Sequence, residues 1–111
     1  MMQDTMTKNI MEMFQVQQIP FSFELEDFSD SIPLKLIQPL KLNVRFENNR
    51  YILENDELKM FSFDSDFEKA VLDMEQYFLS LWKNYVLIHE NRLSPSGLRF
   101  KKLIQSYAVE A

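Results

Sequence analysis

The sequence has little glycine, no cysteine and one histidine. Gly97 is the sole glycine, so the chain has no Gly-rich phosphate loop or dinucleotide fingerprint, both of which need several positions free of a side chain. Without cysteine there is no disulfide frame, thiol nucleophile, zinc ribbon or iron–sulfur site. One imidazole, His89, cannot build a multi-histidine metal centre within one chain. No apolar run approaches the roughly 20 residues that cross a bilayer, and the N-terminal stretch lacks the regions of a signal peptide. These absences weigh against most enzyme classes, against bound cofactors and against a membrane location, and they make a cytoplasmic protein the expectation.

What is abundant is apolar. Ten Phe and seven Met stand among 111 residues, enough for a core and an argument against general disorder. The formal charge of −5 disfavours binding nucleic acid over a broad surface. Charge is also segregated. Residues 35–53 are net basic, whereas residues 54–90 set Glu54, Asp56, Glu57, Asp64, Asp66, Glu68, Asp73, Glu75 and Glu90 against Lys59, Lys69 and Lys83. Such a stretch is either a set of solvated faces or a surface for a basic partner.

Hydrophobic period divides the chain into a sheet and two helices. Residues 1–18 show no convincing period and are left open between disorder and a peripheral element. Phe21, Phe23 and Leu25 alternate with polar residues, the signature of a half-buried strand. Pro33 and Pro39 argue against helix around Leu34–Ile37, which reads as a short extended piece. Leu40, Leu42, Val44 and Phe46 alternate with Lys41, Asn43, Arg45 and Glu47. Asn48-Asn49 follows, a pair that tolerates the positive φ of a tight hairpin, so residues 40 to about 55 predict an antiparallel hairpin. A further strand falls around Leu58–Phe63. The expected sheet spans residues 21–63.

The period then lengthens. Phe67, Ala70, Val71, Met74, Tyr77, Phe78, Leu81, Trp82 and Tyr85 recur at three- and four-residue steps, which predicts an amphipathic helix over 65–90. Ser65 with Glu68 makes a capping box, and Asp66 is an equally good cap one residue later. Ser94-Pro95 opens a second helix, expected over 94–108, with Phe100, Leu103, Ile104 and Tyr107 on its apolar face. The predicted architecture is one α+β domain over 1–111: an antiparallel sheet of three to four strands packed against one long amphipathic helix, followed by a short C-terminal helix.

Chemistry-bearing clusters are sparse. His89 sits where the long helix is expected to end, with Glu90 and Ser94 nearby but no recognisable catalytic spacing. Asp64, Asp66 and Glu68 have oxygen ligands for a hard cation, but carboxylates at a helix start are expected as caps. No catalytic, metal or cofactor-binding residue is assigned. Trp82, Tyr77 and Tyr85 lie on the apolar stripe and read as core. Phe61 and Phe63 share a strand with Met60, and an exposed strand of that kind invites pairing with another chain.

Residues 41–85 resemble the HicB-type antitoxin domain, in which a three-stranded antiparallel sheet is followed by a helix opening with Gly-Asp-Thr-x-Glu-Glu-Ala-Leu. Aligned on Ala70, this chain reads Asp64-Ser65-Asp66-Phe67-Glu68-Lys69-Ala70-Val71. Asp66 takes the place of the capping threonine, and Glu68 and Ala70 match. Asp64 stands in for the glycine, Ser65 for the aspartate and Lys69 for the second glutamate. The stretches Asn55-Asp56-Glu57-Leu58 and Leu93-Ser94-Pro95-Ser96-Gly97-Leu98 are similar to those of small prokaryotic proteins of unassigned role.

The resemblance implies a non-enzymatic protein that neutralises a small basic toxin, often as a dimer. HicB-type proteins usually add a C-terminal DNA-binding module. The residues after the long helix are too few for one, so operator binding is not expected. The partner is therefore expected to be a small basic protein, held by the acidic 54–75 surface or an exposed strand, or a second copy in a self-associating scaffold. The candidate partner-binding residues are Glu54, Asp56, Glu57, Phe61, Phe63 and Asp73.

Overall fold

In the computed structural model of the chain, residues 19–111 are described, so the open reading of residues 1–18 lies outside them. The alternating segments form strands β1 (Phe21–Leu25), β2 (Leu34–Leu36), β3 (Leu40–Glu47), β4 (Arg50–Asn55) and β5 (Met60–Asp64). They are followed by helix α1 (Phe67–Leu81), a π-helical turn (Trp82–Val86), a short 3₁₀ turn (Glu90–Arg92), helix α2 (Pro95–Gln105) and strand β6 (Ala108–Glu110). The fold is α+β.

Four strands build an antiparallel sheet in the order β1-β3-β4-β5. The hairpin closes at Asn48 and Asn49, whose φ angles of 52° and 61° are those of the twist-matched two-residue turn. Its register pairs Glu47 with Arg50 and Val44 with Leu53. The β4–β5 turn is held by Asn55, which accepts from the Leu58 N–H (2.7 Å) and donates to the Lys41 carbonyl (2.8 Å). Leu58, expected on a strand, is buried in this turn, and β5 begins two residues later.

One sheet face is apolar and packs against α1. Leu40, Leu42, Val44, Leu53 and Met60 meet Ala70, Met74 and Phe78, all essentially buried. Removing each large side chain from water contributes about 1.5–3 kcal/mol. The small Ala70 lets α1 cross close to β5, where the Ser62 hydroxyl donates to the Ala70 carbonyl (2.7 Å). At the start of α1, Phe67 packs between Phe23 and Tyr51, with ring centroids 5.5 and 5.4 Å away.

Two expectations change. The helix predicted to reach residue 90 keeps α-helical geometry only to Leu81. The chain then widens into the π turn, closed by the Leu87 N–H on the Trp82 carbonyl (3.2 Å). This turn accompanies the burial of Trp82 and the edge contact of Tyr85 with Phe100 at 4.9 Å. His89 is therefore not at the end of the long helix; it is exposed, in extended backbone at the position that opens the 3₁₀ turn.

The C-terminal helix predicted to reach residue 108 stops at Gln105. Ala108–Glu110 instead forms β6, which pairs antiparallel with β2 and carries this short extended piece off the main sheet. The Ile37 N–H on the Tyr107 carbonyl (2.8 Å) and the Ala111 N–H on the Pro33 carbonyl (3.2 Å) extend the ribbon. On α2, the stem of Lys101 is largely covered and its ammonium reaches Glu90 at 3.2 Å.

Candidate functional site

The second face of the main sheet has no element of the described residues packed on it. Its side chains follow from alternation. β3 presents Lys41, Asn43, Arg45 and Glu47, β4 presents Arg50, Ile52 and Glu54, and β5 presents Phe61 and Phe63. Toward β3 the surface is charged; toward β5 it is aromatic.

Phe61 is 55% exposed and Phe63 48%, high values for phenylalanines inside a strand. The register places Ile52 opposite Phe63 and Glu54 opposite Phe61. The Arg50 guanidinium lies 4.7 Å from the centre of the Phe63 ring, a cation–π contact. Phe61 lies 6.2 Å from Tyr77 of α1, so apolar surface continues round the β5 edge toward the helix. No strand among the described residues pairs with the outer edge of β5, so its main chain is open there.

Of the six candidate residues, the structure brings Glu54, Phe61 and Phe63 together. The other three point elsewhere. Asp56 is exposed in the β4–β5 turn, Glu57 in the same turn accepts a hydrogen bond from the Tyr107 hydroxyl, and Asp73 is exposed on α1, across the sheet from the aromatic face. Ile52 and Arg50 were missing from the candidates, although the period-2 pattern running from the Asn-Asn turn carries both onto the face of Glu54. Tyr77 could not be placed beside Phe61 without the tertiary packing.

The acidic stretch does not form one surface. Glu54 is paired with Arg45, which also contacts Glu47 at 3.3 Å. The Glu54 hydrogen bond, opposed by partial desolvation and aided by both carboxylates, raises the Arg45 pKa above its ordinary value. Asp66 caps α1, accepting from the N–H groups of Glu68 (2.9 Å) and Lys69 (3.4 Å), and Asp64 accepts from the Asp66 N–H (2.9 Å). Glu75 is 3% exposed and turned toward Ser29. Burial, followed by the hydrogen bond to Glu57, pushes the Tyr107 hydroxyl up to about 12.

A second concavity, an open cleft of about 710 Å³, lies between the β4–β5 turn, the end of α1 and the start of α2. Lys59, Tyr77, Tyr85, Arg92 and Phe100 are among its lining residues. Among the described residues no three His, Asp or Glu side chains gather to hold a metal ion. No helix of the described residues is long and apolar enough to cross a membrane.

No protein-family model, curated protein or solved structure matches the chain.

Proposed function

We propose that this chain is a non-enzymatic protein–protein interaction domain that holds its partner on the outer edge of β5 and the aromatic face beside it. The observation that carries this reading is the pair Phe61 and Phe63, both about half exposed on alternate positions of an edge strand. Strand addition takes affinity from main-chain hydrogen bonds and selectivity from alternate side chains, and β5 offers both. The acidic route has less support, because Glu54, Glu57 and Glu75 are already engaged within the chain. A small basic, toxin-like protein and a second copy are the two partner classes, in keeping with the HicB resemblance and with a cytoplasmic role.

The test is retention of partners from a lysate of the native host by the immobilised chain and by its F61T/F63T variant. Threonine keeps β propensity while removing both rings. The expected result is a stoichiometric partner retained by the parent and lost by the variant, with circular dichroism unchanged. A partner retained equally by both would rule out the β5 surface. A small basic partner held by charge would also be released by high salt.

A further inference from the structure

We infer that the occupant of the β5 edge is a second copy of this chain, bound antiparallel through β5 about Ser62, so that two four-stranded sheets join into one of eight. This rests on the interaction reading above and names its partner.

A two-fold strand pair needs a segment that complements its own reverse. Phe61-Ser62-Phe63 reads the same in both directions. Setting Ser62 against Ser62 of the second copy puts each Phe61 opposite the other Phe63, on the faces that are bare in the single chain. The strand is also charged with opposite sign at its two ends. Lys59 precedes it, and Asp64 and Asp66 close it. In the antiparallel register each Lys59 falls beside the other copy's Asp64 and Asp66. A parallel register would set lysine against lysine and aspartate against aspartate. Charge thus selects the orientation that symmetry requires.

The opposite edge of the sheet sharpens the argument, because β1 carries the same tripeptide, Phe21-Ser22-Phe23. There the two rings turn inward and pack on Phe67, at 6.3 and 5.5 Å. Pro20 precedes that strand, offering no N–H, and Glu24 and Glu26 supply charge of one sign only. The β1 edge thus has no opposite charge at its two ends to offer its own copy, whereas the β5 edge has one. On β5 the inward side is already settled by Met60 under α1 and by Ser62 on the Ala70 carbonyl. The edge and the outward rings are what remain to be covered.

The absence of cysteine makes the register directly readable. Directly opposed residues bring their Cα atoms to about 4.5–5.5 Å, within disulfide reach, whereas residues two positions out of register lie beyond about 7 Å. Mixing Phe61→Cys with Phe63→Cys chains under mild oxidation is expected to give a 61–63 cross-linked dimer. Either variant alone should stay uncross-linked. In sedimentation, the 13.3 kDa chain should run at twice its mass and dissociate on dilution. The F61K/F63K variant should be monomeric at every concentration, and F61K/F63E should recover the dimer because each lysine then faces a glutamate.

A parent chain that is monomeric throughout, or cross-links that form as readily between like positions, would overturn the inference. If the parent is monomeric but F61T/F63T still loses a lysate partner, the second copy is wrong and the interaction surface stands. If the parent is monomeric and retention is unaffected, both fall.

Discussion

The carboxylate of Glu75, buried on α1, holds Ser29 twice: Oε2 accepts from the backbone N–H at 3.0 Å and Oε1 from the hydroxyl at 2.6 Å. The pair fastens the loop after β1 to the helix, beside the mutually tilted rings of Phe28 and Phe78, 5.1 Å apart. A carboxylate this deep is tolerable because each oxygen has a donor. Glu75→Ala strands the Ser29 N–H and should lower stability by about 2–3 kcal/mol. Ser29→Ala keeps the backbone bond and should cost about 1 kcal/mol. Urea unfolding measures both, and equal losses would show that the backbone N–H bond carries none of the effect.

Asp66, rather than Ser65, caps α1. Asp66→Ala should therefore destabilise the chain by about 1 kcal/mol, whereas Ser65→Ala should stay within about 0.5 kcal/mol. Thermal melts of the two variants under identical conditions decide between the caps. A larger loss at Ser65 would contradict the observed geometry.

Tyr107 ties the C-terminal segment to the β4–β5 turn through Glu57. Its pKa is raised to about 12 in the folded chain, against an ordinary value near 10, so ionisation is easier once the chain unfolds. The stability it contributes is fully present below about pH 10 and is lost as pH rises toward 12. Urea midpoints across pH 8 to 12 should fall over that window. In Tyr107→Phe the unfolding free energy should start lower, by about 1 kcal/mol, and this part of the fall should be absent.

Lys59 adopts a φ of 57°, in the left-handed region that costs a side-chain-bearing residue roughly 1–2 kcal/mol. Lys59→Gly should raise the thermal midpoint of the dilute chain, since glycine enters that region without penalty. The same change should weaken association at β5 by removing the cation that meets Asp64 and Asp66 of a second copy. Higher melting together with weaker dimerisation is the expected combination, checked by calorimetry and sedimentation.

Local chemistry made much of this fold legible. The Asn48-Asn49 turn, the alternation of β3, the three- and four-residue steps of α1 and the Ser94-Pro95 start of α2 all act within a few residues of where they are written. Strand β6 was hidden because Tyr107 and Ala108 continue the helical spacing of Ile104. What makes them extended is pairing with Leu34–Leu36, far away in sequence. The π turn was hidden for a similar reason, since Trp82 and Tyr85 fit an ordinary helical stripe and only packing against α2 shows where it widens. On the candidate surface, alternation put Phe61 and Phe63 on one face. The neutralisation of Glu54 by Arg45 and the engagement of Glu57 by Tyr107 depend on which strands and segments lie side by side.

The ribbon of β2 and β6 gives the order of synthesis a physical meaning. Leu34–Leu36 leaves the ribosome early and finds its pairing strand only after residue 110 has been made. Until then the main sheet, whose strands all lie before residue 65, can form with α1 while β2 and the inner side of that loop wait uncovered. A stall after α2 would leave the β4–β5 turn without its Tyr107 clamp and β2 without its pairing strand. Strand β6 acts as a latch, closed only once residues 108–110 have been made.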